Sequence, residues 1–228
     1  MNIFNETKEF KSADGKLVPY LQYMPEKEVN VSIVILYEIF GLTNHIKKVA
    51  SLYANEGYLV TIPDIFSRLE KNINLPYNSE GFKKGIRLKE SIGWEIPVMD
   101  TVALAALLKQ KYKTVVLGYC FGGSLAWLCM QKTFIFDKGI CYYGSSISEF
   151  LKSNINCPAM LHFGKDDKGI PDKEIKKIQG YATTQKMNIK INEYEKADHG
   201  FNCEDRISFN PKAAKLAQDR SINFIKEI

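Results

Sequence analysis

The hexapeptide Gly118-Tyr119-Cys120-Phe121-Gly122-Gly123 sets a cysteine two residues after one glycine and two before another. It lies between an apolar run at 114–117 and a helical pattern at 124–128. A nucleophile on a sharp strand-to-helix turn needs that spacing, because side chains two residues to either side would collide across the turn. The following helix aims its N-terminus at Cys120, which favours the thiolate. It also leaves the Phe121 N–H placed to bind a developing oxyanion. A glycine-rich turn around a structural cysteine has the same composition; the strand–helix context favours chemistry. Cys129 and Cys141 lie in apolar runs and are expected to be inert core residues.

A nucleophilic cysteine needs a base, and the chain has 3 histidines. His162 sits inside an apolar strand pattern and reads as a core or strand-end residue. His45 opens a helix among lysines and is expected to be solvated. His199, in Ala197-Asp198-His199-Gly200-Phe201, falls between the last strand pattern and the last helix pattern, where a loop leaves the sheet. Two adjacent carboxylates, Asp166 and Asp167, follow the strand pattern ending at Phe163. Either could orient a histidine, and both could cap the next helix. The order nucleophile, acid, histidine, each after a strand, is that of α/β-hydrolases. Glu38 ends a buried run in Leu36-Tyr37-Glu38-Ile39-Phe40-Gly41. A carboxylate there must be paired or protonated unless it reaches water. If its strand neighbours that of Cys120, Glu38 stands beside the thiol and Ile39 offers a second oxyanion N–H.

Elements of two different periods must position these residues. Short apolar runs at 17–23, 31–37, 58–62, 114–118, 139–143, 159–163 and 189–194 read as strands. The run at 31–37 is apolar almost throughout, as in a strand buried on both faces. Helical patterns at 46–56, 97–110, 122–131, 172–186 and 211–225 alternate with them, with Gly57 at a helix end and Pro211 at a helix start. The alternation implies an α/β fold with a mostly parallel central sheet and helices on both faces. Residues 1–228 are expected to form one domain. The segment 67–95 holds Gly81, Gly85, Gly93 and many charges, and exceeds a plain connection. It reads as a surface excursion with room for a short helix, or as a flap over the site.

Hydrophobic residues make up 45% of the 228 and charged residues 25%, which excludes collagen-like, disordered and disulfide-scaffold classes. The net charge of +5 comes from lysines interleaved with acids, without a basic block flanked by aromatics, so no nucleic-acid partner is expected. No apolar run approaches the ~18 residues of a membrane span, and the first residues lack the apolar stretch of a secretory signal. The 5 cysteines are odd in number and form no Cys-x-x-Cys pair, which fits a reducing cytoplasm rather than disulfides or structural zinc. No Gly-x-Gly-x-x-Gly follows the first strands, so a nucleotide is disfavoured and neither cofactor nor metal is expected. The partner expected is a small molecule, bound by a monomer.

Together these residues resemble the dienelactone hydrolase (carboxymethylenebutenolidase) family of α/β-hydrolases. The resemblance covers most of the chain. It rests on Glu38-Ile39-Phe40-Gly41, Gly57-Tyr58 leading to Pro63-Asp64, the Cys120 hexapeptide, Tyr142-Tyr143-Gly144, the turn from Asp167 to Ile170-Pro171, and His199-Gly200-Phe201. It implies an α/β-hydrolase fold and a triad of Cys120, Asp167 and His199. It further implies that Glu38 holds the resting thiol and takes its proton, with Ile39 and Phe121 as oxyanion donors. The implied reaction opens an enol-lactone through an acyl-cysteine thioester. Family members grip the substrate carboxylate with arginines. Four residues after His199 this chain has Cys203, with Arg206 three further on, and in 67–95 it offers Lys83, Lys84 and Arg87 as candidate substrate contacts. A broader carboxylesterase or thioesterase, or a non-catalytic ligand-binding or redox-sensing protein, are the competing readings.

Overall fold

The apolar runs of the sequence lie side by side in one eight-stranded sheet in the computed structural model, which describes residues 3–228. The strands are β1 (Ile3–Lys11), β2 (Leu17–Pro25), β3 (Val31–Leu36), β4 (Leu59–Pro63), β5 (Lys113–Tyr119), β6 (Lys138–Tyr142), β7 (Ala159–Gly164) and β8 (Ile189–Tyr194). Their order is β1-β2-β4-β3-β5-β6-β7-β8. The hairpin β1–β2 joins β4 antiparallel, and every pairing from β4 to β8 is parallel. This is the mostly parallel α/β-hydrolase sheet. Strands β4, β6 and β7 are buried at every position, so both faces of the central sheet are covered.

The helices are α1 (Asn44–Asn55), α2 (Ser79–Ile92), α3 (Glu95–Lys109), α4 (Phe121–Lys132), α5 (Asp172–Thr184) and α6 (Pro211–Lys226). Polar caps start several of them: Thr43 accepts from the Ile46 N–H, Asn78 from Gly81 and Asn210 from Ala213. No single helix among the described residues is long and apolar enough to cross a membrane.

Two elements depart from the sequence reading. Strand β1 has mostly charged and polar residues and only Phe10 fully buried, so its pattern carries little apolar signal. It exists because β2 pairs with it at nine positions. The segment 67–95 is largely the 14-residue helix α2. Its glycines look like helix breakers but serve close packing. A Cβ on Gly81 would lie 2.0 Å from the Pro76 carbonyl oxygen, and one on Gly85 would lie 2.5 Å from that of Ile39.

The chain entering this segment is pinned. Tyr37, fully buried, donates to Asp64 Oδ1 at 3.1 Å and accepts from the Phe66 N–H at 2.7 Å, while Asp64 Oδ2 accepts from the Asn72 N–H at 2.9 Å. Arg68 then bridges Asp14 and the buried Asp100 of α3 at 2.5–3.1 Å. Tyr37→Phe keeps the ring but strands the Phe66 N–H and one Asp64 oxygen. It should lower the unfolding free energy by about 2 kcal/mol in urea denaturation, and an unchanged midpoint would show that water replaces the hydroxyl.

Candidate active site

Strand β5 passes into α4 without a loop, and Cys120 is the hinge. Its backbone has φ 54° and ψ −114°, a left-handed conformation that costs a residue with a side chain roughly 1–3 kcal/mol. The neighbouring glycines show what enforces it. A Cβ on Gly118 would stand 1.9 Å from the Gly122 oxygen, and one on Gly122 would stand 2.1 Å from the Leu36 oxygen. The turn is tied to both adjacent strands. The Cys120 N–H donates to the Tyr142 carbonyl at 3.0 Å and the Gly122 N–H to that of Tyr37 at 3.1 Å. The thiol is thereby lifted to the C-terminal edge of the sheet, half-exposed.

The register of β3 on β5 pairs Leu36 with Gly118, so Glu38 and Ile39 leave the sheet beside the cysteine turn. Among the described residues, neither the Ile39 nor the Phe121 backbone N–H has a hydrogen-bond acceptor. Both residues line one cleft with Cys120, Asp167 and His199, about 360 Å³ in volume.

Acid and histidine arrive on the loops after β7 and β8. These loops are knitted together: Lys165 N–H donates to Tyr194 at 2.9 Å, Asp166 N–H donates to Ala197 at 2.9 Å, and a Cβ on Gly164 would meet the Ala197 oxygen at 2.2 Å. Asp166 points outward and is exposed. Asp167 is buried; its Oδ2 pairs with His199 Nδ1 at 2.7 Å and its Oδ1 accepts from the Gly169 N–H at 2.8 Å. The structure thus distinguishes two carboxylates that the residue pattern alone leaves equivalent. The His199 ring keeps 23% of its side-chain surface open and packs 5.1 Å from the Tyr143 ring. Burial disfavours its charged form, but attraction to Cys120 when that thiol is ionised, together with the hydrogen bond to Asp167, outweighs burial and raises its pKa to about 10.

The other two histidines stand elsewhere. His162 is fully buried, with Nδ1 on the Tyr194 hydroxyl at 2.7 Å and Nε2 on Ser221 Oγ at 3.0 Å. Burial, with Arg220 nearby, lowers its pKa to about 3, and it is the core residue expected. His45 is not solvated as its flanking lysines suggested. It is 4% exposed and edge-on to Tyr119 at 6.2 Å, because the first turn of α1 tucks against the end of β5.

Glu38 is 1% exposed, and its partner differs from the one expected. Its Oε1 accepts from Arg206 Nη1 at 3.1 Å, and its Oε2 has no hydrogen-bond partner among the described residues. The Arg206 guanidinium lies 5.7 Å over Phe40 and 6.0 Å over Tyr77. It passes Gly200, where a Cβ would come within 2.3 Å of Nη1. A cation therefore reaches the cleft from three residues beyond Cys203. Cys203 itself is buried, and burial pushes its thiol up to about 12.

Lys83, Lys84 and Arg87 do not line the cleft, which corrects the expectation for this segment. As α2 is helical, the face it turns to Cys120 is Phe82, Ile86 and Lys89, spaced four and three residues apart. Lys83 and Arg87 are exposed, and Lys84 pairs with Glu70 at 2.9 Å. The signal for the correct face was present in the Asn78 cap and the 82/86/89 spacing, but the glycines obscured it.

The dienelactone hydrolase family model matches residues 19–228. Carboxymethylenebutenolidase of Pseudomonas putida is 28% identical over 223 residues, spanning 94% of this chain and 93% of that protein. The crystal structure of a Klebsiella pneumoniae protein assigned as a dienelactone hydrolase superposes with a TM-score of 0.87 at 21% identity, covering 100% of both chains. That of a dienelactone hydrolase-like promiscuous phosphotriesterase from metagenomic libraries gives 0.77 at 16% identity, covering 98% of both.

Two expectations follow from the packing. Because His162 is neutral in the fold and its pKa is depressed to about 3, the unfolded chain binds the extra proton below pH ~6.5. Its contribution is intact above that pH and is lost as pH falls toward 3. His162→Asn should flatten the fall of the urea midpoint across that window, and an unaltered slope would mean that other groups carry the acid sensitivity. Gly85→Ala should push α2 away from Ile39 at a cost of about 1–3 kcal/mol, seen as faster hydrogen exchange confined to 79–92. Unchanged exchange there would mean that the contact yields without moving the helix.

Proposed function

The chain belongs to the dienelactone hydrolase family, and on that footing we propose that it hydrolyses carboxylated enol-lactones and related esters through an acyl intermediate on Cys120. The observation that carries this reading is the Asp167–His199 pair, 2.7 Å apart, in one cleft with a cysteine held at φ 54°. The thiolate attacks the lactone carbonyl carbon. The oxygen that becomes negative is met by the Ile39 and Phe121 N–H groups. Collapse breaks the acyl carbon–oxygen bond, and the leaving enolate takes the proton from protonated His199. Neutral His199 then removes a proton from water, whose oxygen attacks the thioester carbonyl. The second collapse expels the thiolate and releases the acid, leaving His199 protonated again.

Activation of the thiol falls to Glu38. In the resting protein Arg206 neutralises it. A substrate carboxylate that binds Arg206 draws the guanidinium away, and Glu38, buried and without its cation, gains affinity for a proton. It takes the one on Cys120 and returns it after the acyl group has left. Arg206 is thus proposed to grip the substrate carboxylate, in place of Lys83, Lys84 and Arg87. The apolar walls formed by Ile39, Phe82 and Ile86 also suit neutral esters, which supports a broader carboxylesterase activity at the same site.

Intact-protein mass spectrometry during turnover of an enol-lactone and of p-nitrophenyl acetate tests the reading. The expected result is one acyl adduct, absent in Cys120→Ala, together with loss of activity by orders of magnitude in His199→Ala. Glu38→Gln should slow a carboxylated substrate about tenfold more than a neutral ester, since only the former engages Arg206. Wild-type rates in Cys120→Ala would overturn the nucleophile, and equal losses on both substrates would overturn the role of Glu38.

A further inference from the structure

Lys89 is the second cation that α2 and the sheet edge bring to this cleft, and its surroundings differ from those of Arg206. Its Nζ lies 5.1 Å over the Trp94 ring. Trp94 in turn packs 5.1 Å from the Phe121 ring and stands edge-on to Phe150 at 5.0 Å. An ammonium seated on an indole face is held in place by the ring quadrupole without losing its charge. The rail from Lys89 through Trp94 to Phe121 fixes it relative to a residue that flanks Cys120 in sequence.

Of the three cations that line this cleft, Arg206, Lys89 and Lys168, only Arg206 is ion-paired among the described residues. Arg206 has Glu38 and Lys84 has Glu70. Lys89 has no carboxylate within ion-pair distance among the described residues. Lys168, which also reaches the rim, is exposed, and Asp198 shares that rim with the opposite charge. Lys89 is therefore a positioned cation without a counter-charge, partly buried, beside apolar Phe82 and Ile86 on the same helix face. A positioned cation beside an apolar wall favours an anionic group joined to an apolar frame, since the wall excludes the water that would screen the pair.

We propose that Lys89 is a specificity-determining residue and that the substrates are dianionic: one carboxylate at Arg206, a second anionic group at Lys89, and the scissile ester between them over Cys120. This rests on the hydrolase reading for its scissile bond, but the two-cation cleft is a property of binding. The two cations come from different elements, Arg206 from the loop after β8 and Lys89 from α2. The volume of about 360 Å³ is at the low end for ligand pockets (~300–1,000 Å³) and suits a short diacid frame. Lactone opening itself creates one new carboxylate, but at Cys120, so only a readout specific to Lys89 separates the two anion sites.

Adipate and hexanoate, equal in length with two carboxylates or one, are the probes. Binding is read by Trp fluorescence, since Trp94 carries the Lys89 ammonium on its ring and packs against Phe121, while the other tryptophan, Trp127, is buried. It is also read as competitive inhibition of p-nitrophenyl acetate turnover. Wild type should bind adipate about tenfold more tightly than hexanoate, as a charge-assisted contact implies. Lys89→Gln should reduce that preference to within about twofold, Lys89→Arg should keep most of it, and Trp94→Leu should weaken it by releasing the ammonium. Equal affinity for the two probes in wild type, or a preference that survives Lys89→Gln, overturns the proposal. An adipate preference in a protein that turns over no ester supports the two-cation cleft and overturns the hydrolase reading alone.

Discussion

The positive φ of Cys120 is the constraint from which the site follows. A strand that turned into its helix through an ordinary loop would carry the cysteine away from the neighbouring strands. Here the helix begins at the next residue, so Phe121 keeps a free N–H at the first helical position, beside the thiol. The turn survives because three carbonyl groups occupy the space that side chains would need: Gly122 against Gly118, Leu36 against Gly122, and Tyr142 against Gly123. Two of these belong to β3 and β6, the strands on either side of β5. The strain at one residue is thus held by close packing across three strands, and the same contacts bring Ile39 to the opposite side of the cleft.

Two buried charge pairs divide the remaining work. Asp167 and His199 come from adjacent loops, and Asp167 has its second oxygen satisfied by a backbone N–H, so its orientation is fixed. Glu38 and Arg206 are separated by 168 residues, and only one Glu38 oxygen is satisfied. A buried pair with an unsatisfied oxygen adds little to stability, because desolvation offsets most of the attraction. Such a pair suits exchange, since a competing anion at Arg206 replaces a weak arrangement. The contrast between a completed pair and an incomplete one is in line with the roles proposed for His199 as a fixed base and Glu38 as a carboxylate that changes partner.

Much of this was legible in the residues, for identifiable reasons. The Cys120 elbow was readable because its glycines are dictated by local geometry, and His199 because it follows a strand directly. Separating Asp167 from Asp166 required the resemblance, since adjacent acids on a loop have no periodicity to divide them. What sequence reasoning missed depends on distant partners. Strand β1 needs β2 to exist as a strand. His45 is buried by Tyr119, 74 positions away. Arg206 reaches Glu38 only because Gly200 lets the chain turn under the guanidinium. In α2 the glycines Gly81 and Gly85 make the stretch look irregular in sequence, when each marks a place where the helix touches another backbone.

That contact at Gly85 bears on how the cleft is assembled. The peptide following Ile39 carries the carbonyl against which Gly85 packs, and the peptide preceding it carries an N–H without an acceptor among the described residues, in a residue that lines the cleft. The same helix presents Phe82, Ile86 and Lys89 to the cleft one and two turns along. A displacement of α2 would therefore act on two things at once: the walls of the cleft and the backbone proposed as an oxyanion donor. The Tyr37–Asp64 and Arg68–Asp100 contacts fix the chain leading to this helix, while α2 itself makes no ion pair to the sheet among the described residues. Gly85 thus ties the position of α2, and with it Phe82, Ile86 and Lys89, to the backbone of Ile39 on the same cleft.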